Sequence, residues 1–180
     1  MPAPQPAARM PEPEPNPAPS EEHPEDAFFY ALGCGIGFYR SGFYMDRVLA
    51  GAADALLPGG HSRQMIDFGR DIWEQWFFGD IVPDRLCKER IAPVAQHWPD
   101  ARKDTLMTGA WIMLLMDDPD AGKNYVDPNA HENLRLEMTA VLKSLAGELY
   151  GADRDARLAS VCARAEELAQ EIFAKAGLPT

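Results

Sequence analysis

The chain has 180 residues, 46% of them hydrophobic and 25% charged, with a net charge of −11. That length sets one domain as the expectation, and the composition excludes a collagen, a coiled-coil rod and a disulfide scaffold. Phosphate-backbone binding needs clustered Lys and Arg, and no such cluster occurs, so nucleic acid is not an expected partner. The same acidity argues against docking on anionic lipid and favours a protein partner with a basic surface.

Residues 1–26 hold nine of the 16 prolines and carry six acids against Arg9 alone, a net −5. Proline at nearly every second position removes backbone donors, and no branched aliphatic or aromatic residue is there to be buried. A disordered, acidic, Pro-rich tail is expected over 1–26, followed by one α-helical domain over 27–180. No basic start followed by an apolar run marks a Sec signal. The longest apolar stretch near the N-terminus, 27–39, is 13 residues where a bilayer span needs about 20. Stable membrane insertion is therefore not expected, and a cytoplasmic location is, with export by a non-Sec route left open. Cys34, Cys87 and Cys162 are odd in number and form no CxxC, which fits a reducing compartment.

From Ala27 the apolar spacing is helical throughout. Ser20 or Asp26 would cap a first helix through Phe28, Phe29, Leu32, Ile36 and Tyr39, with Gly33, Gly37 and Ser41 clearing a lane for a second helix. Next comes a helix ending at Pro58-Gly59-Gly60, with Tyr44, Val48, Ala52 and Ala55 as its stripe. A third carries Met65, Phe68, Gly69, Ile72 and Trp76 opposite Asp67, Arg70, Asp71 and Glu74. Pro83 opens a segment with Leu86, Cys87, Ile91 and Val94 that Pro93 should kink or shorten. Pro99 opens another, whose charge-free run LMTGAWIMLLM (106–116) predicts burial on most sides. After a turn-rich loop over 117–129, Leu134, Met138, Val141, Leu145 and Leu149 mark one helix. Leu158, Val161, Ala165, Leu168 and Ile172 mark the last. Gly151 and Gly177 stand where C-terminal caps belong, and Glu171 precedes Lys175 by four residues, a favourable pair. No segment alternates as a strand. The expected fold is all-α, a single bundle of about six or seven helices.

Reaction motifs fail on spacing. GCGIG (33–37) has neither the GxGxxG spacing nor the GKS of a phosphate loop. The loop from Asp118 places glycine and lysine where a calcium loop needs a ligand and glycine, and Asn129 where it needs glutamate. The pair Asp117-Asp118 lacks the later aspartate of prenyl-transfer motifs, Ala121 standing there. No ExxH, HExxH or GxSxG occurs. A metal site from His61, Cys87 and His97 remains only a weak alternative, and no cofactor is predicted.

The densest chemical signal is aromatic. Trp73, Trp76, Phe77 and Phe78 fall within six residues, and Phe28, Tyr39 and Tyr44 belong to a second cluster. Aromatics are enriched at binding hot spots, so these seven residues are the expected partner-binding set. The functional expectation is a non-enzymatic adaptor or regulatory protein that binds another protein, with a basic or apolar helix, through this aromatic-lined surface. One alternative is a ligand- or metal-binding bundle or enzyme, with an apolar pocket bordered by Trp76, Trp111 and Met113. A further one is a secreted effector or inhibitor that uses the tail for export.

Overall fold

In a computed structural model of the chain, the described residues are Glu25, Phe28, 42–57, Gly60, 63–77, 83–115 and 130–177. The tail, the glycine-rich stretch 29–41 and the loop 117–129 lie outside them, apart from Glu25 in the tail. The described part is helical with no strand, so the chain is all-α. Five long helices account for most of it: α1 (Gly42–Leu56), α2 (Arg63–Phe77), α5 (Asp100–Leu114), α6 (Ala130–Tyr150) and α7 (Arg154–Ala176). Between α2 and α5 lies one short interrupted helical run made of α3 (Pro83–Leu86), a π turn (Cys87–Ile91) and α4 (Ala92–Ala95).

The π turn has a sequence cause. Pro93 cannot donate to the carbonyl of Glu89, and its ring would collide with that oxygen in a regular α-helix. The chain answers with one wide turn just before the proline instead of a kink at it. Cys87, Ile91, Ala92 and Ala95 still face inward. After this run, the Pro99 carbonyl accepts the amides of Arg102 and Lys103 at 3.0 and 3.1 Å, which starts α5. A three-residue 3-10 turn (Gly151–Asp153) joins α6 to α7, with Gly151 at φ 59°. Gly177 closes α7 at φ 79°, its amide donating to Ala174 O at 3.1 Å, the left-handed cap that glycine tolerates best.

Two apolar clusters make the core. In the first, Cys87, Ile91, Ala92 and Ala95 meet Leu106, Met107 and Ala110 of α5, a row from Met138 to Leu149 on α6, and Leu158 and Val161 of α7. In the second, Val48, Leu49, Ala52 and Ala53 of α1, Ile66 of α2 and Ile112 of α5 meet Ala165 to Ala176 of α7. Phe68 and Trp111 pack against both. Helix α7 therefore serves the first cluster with its first two turns and the second with the rest. Helix α5, packed on α1, α6 and α7, is buried almost all round from Leu106 to Leu114, as its charge-free sequence implies.

Three expectations need correction. On α1 the inward stripe is Val48, Leu49, Ala52 and Ala53, and Ala55 is exposed, because α2, α5 and α7 all pack against this helix and widen its buried face. On α2, among the described side chains, Ile66 is buried although it lies outside the expected stripe, while of that stripe Gly69 is buried, Met65 and Phe68 are half-buried, and the side chains of Ile72 and Trp76 lie outside the described ones. Glu171 and Lys175 form no ion pair among the described residues, as exposed pairs gain little over two free side chains.

Candidate functional site

Helices α1 and α2 pack against each other across a connection of six residues, 57–62. A short connection between packed helices turns the chain back on itself. Tyr44 stands near the start of α1, and Trp73, Trp76 and Phe77 stand near the close of α2. Buried Ile66 and Gly69 mark the inner register of α2. Trp73 stands seven residues after Ile66 and Trp76 seven after Gly69, so both continue that register by two turns. Tyr39 and Phe78 lie outside the described residues.

Phe28 is a core side chain and not a surface anchor. It is 2% exposed and belongs to the second cluster. Its ring fills a notch in α5 that exists because residue 109 is glycine. A Cβ there would lie 2.8 Å from Phe28 Cζ and closer still to Cε2. Of the pocket residues expected from sequence, Trp111 is half-buried between the two clusters.

A polar corner that the sequence did not reveal ties α5, α6 and α7 together. Tyr150 Oη donates to Asp104 Oδ1 at 2.7 Å, and Arg157 Nη2 donates to Asp104 Oδ2 at 2.9 Å. The Arg157 guanidinium lies 5.3 Å from the centre of the Tyr150 ring and 3.9 Å from Asp100 Oδ2. Lys103 Nζ donates to Leu149 O at 3.0 Å, a cation on a carbonyl in the last turn of α6, where the helix dipole is negative. Burial first, and then the hydrogen bond to Asp104, push the Tyr150 phenol far above its ordinary value of 10.0. A phenol held neutral as a donor, with both carboxylate oxygens engaged, braces the fold. The partners stand 46 and 53 residues apart, beyond the reach of any periodicity rule.

Cys87 and His97 have different surroundings. Cys87 is buried at 1% exposure within the first cluster, whereas His97 is exposed, with Gln96 Nε2 3.2 Å from its Nε2. His61 lies outside the described residues. Among the described residues no three His, Cys, Asp or Glu side chains group as metal ligands. Cys162 is half-buried, and burial together with the Glu166 carboxylate raises its thiol pKa, which keeps it protonated at neutral pH.

The helical elements are close to charge balance. They carry 17 acids and 14 bases, a net −3 of the chain's −11. Of the rest, −5 belongs to residues 1–26 and −3 to 117–127, where Asp117, Asp118, Asp120 and Asp127 face one base, Lys123. No described helix is long and apolar enough to cross a membrane. Comparison with protein-family models, with curated proteins and with solved structures finds no match.

Proposed function

We propose that the chain is a non-enzymatic adaptor or regulator that holds a partner protein at the open end of the α1–α2 hairpin. What supports this reading is the position of Tyr44 near the start of α1 and of Trp73, Trp76 and Phe77 near the close of α2, two helices that pack together. Large aromatic side chains bind an apolar helix with little loss of rotamer freedom, which is why they dominate hot spots. The charge partition supports a division of labour. The acidic excess lies outside α1 to α7, in residues 1–26 and 117–127, so attraction of a basic partner and its apolar capture belong to different parts of the sequence.

Native mass spectrometry of the full chain, purified gently from its source, tests the proposal. A partner protein in fixed stoichiometry, lost on Trp73→Ala/Phe77→Ala while the circular dichroism stays that of the wild type, is the expected result. Capture unchanged in a folded double variant refutes the assignment of the surface.

A further inference from the structure

We infer that the exposed face of α5 around Trp98 and Arg102 is the docking surface for Glu21 and Glu22 of the same chain. Phe28 marks where the acidic segment leaves the core: its ring lies on Gly109 of α5. Seven residues back along the same helix stands Arg102. Seven residues are nearly two full turns, so Gly109 and Arg102 share a face, about 10.5 Å apart along the axis, with Thr105 between them. That face opens toward the start of the helix, since Gly109 is buried, Thr105 half-buried and Arg102 exposed. The next two side chains are turned elsewhere, Lys103 to Leu149 O of α6 and Asp104 to Arg157 of α7.

Arg102 has a fixed place without a counter-charge. Its guanidinium lies 5.3 Å from the centre of the Trp98 ring, and it forms no ion pair among the described residues. Asp100, the acid of that first turn, lies 3.9 Å from Arg157. Stacking on an indole ring leaves the guanidinium edge free to donate to a carboxylate, and the restricted side chain loses less entropy on pairing than an ordinary surface arginine. Glu25, nearer to Phe28, pairs with no base among the described residues, so the carboxylates assigned to Arg102 are those of Glu21 and Glu22. They stand seven and six residues before Phe28, and six residues of extended chain span up to about 20 Å, twice the step to Arg102. Charge selects the direction. Toward the start of α5 the segment meets Arg102 and the positive end of the helix dipole, whereas the sequence after α5 carries a net −3 over 117–127. A basic partner must then compete with Arg102 for these carboxylates, which disfavours weakly basic surfaces. Capture at Trp73 and Phe77 does not enter the test, so this inference stands or falls apart from that proposal.

The experiment uses the full chain carrying Arg102→Lys, an exposed substitution that keeps the positive charge and places an amine there. A water-soluble carbodiimide activates carboxylates, and a lysine within reach joins them as an amide that peptide mass spectrometry locates. An equal mixture of unlabelled and nitrogen-15 chains tells links within a chain from links between chains. Glu21 or Glu22 is expected to join the lysine at 102 within one chain, at least tenfold more than it joins the exposed Lys143 or Lys175. The yield should fall at least fivefold in about 1 M salt, where the screening length shrinks to ~3 Å. Links spread evenly over the lysines, or formed only between chains, overturn the inference. A yield at 102 that salt leaves unchanged overturns it as well, because the contact would then not be an ion pair.

Discussion

Gly109→Ala separates two opposing effects by sign. In a helix interior, alanine is favoured over glycine by about 1 kcal/mol, so the substitution alone stabilises α5. Here the new Cβ would overlap the Phe28 ring, at 2.8 Å from Cζ and less from Cε2, and Phe28 is only 2% exposed. Expelling a buried phenyl group costs about 3–5 kcal/mol, the range seen for Phe→Ala in cores. The net expectation is a loss of about 2–4 kcal/mol, a large share of the ~5–15 kcal/mol typical of a domain. With Phe28→Ala already present the ring is gone, and Gly109→Ala should stabilise by up to about 1 kcal/mol. Equilibrium urea unfolding of the four chains, followed by circular dichroism, gives both numbers and their coupling. The same sign for Gly109→Ala in both backgrounds refutes the packing of Phe28 on Gly109.

Other outcomes follow from the polar corner and the thiols. Tyr150→Phe removes one hydrogen bond to a carboxylate that is 41% exposed, so a loss of about 1–2 kcal/mol is expected in the same unfolding assay. Because the folded Tyr150 pKa is raised above 10.0, its contribution is complete below pH 10 and is lost as pH rises through the folded value. Alkaline unfolding monitored at the tyrosinate absorbance should therefore show Tyr150 ionising with the loss of helix, and Tyr150→Phe should flatten that pH dependence. In a thiol-reagent titration at neutral pH, Cys162 should react more slowly than a free thiol, and Cys87 only at the rate of unfolding. Rapid labelling of Cys87 in the native chain would contradict its place in the first cluster.

Local rules recovered much of this architecture because much of it is local. The period of Leu158, Val161, Ala165, Leu168 and Ile172 anticipated five of the inward positions of α7, and the charge-free run in α5 anticipated its burial on nearly every side. Gly177 was legible as a cap since only a left-handed residue suits that position. What escaped was non-local. Phe28 reads as a surface aromatic until Gly109, 81 residues later, supplies its hole. Asp104, Tyr150 and Arg157 each look like ordinary surface residues, and only the meeting of three helix ends makes them one corner. Pro93 was legible as a residue that would kink or shorten its segment, and the run is divided into short pieces, with a widened turn that the sequence did not specify.

The division of α7 between two clusters has a consequence for synthesis. Leu158 and Val161 complete one cluster, and the residues from Ala165 to Ala176 complete the other. Neither core can close on the ribosome until α7 has emerged, although α1 to α6 have by then been made. A nascent chain paused before Arg154 would display the inward faces of α1, α5 and α6 together, an apolar surface of the kind that chaperones grasp. The emergence of α7 is the step that turns these exposed faces into two buried clusters.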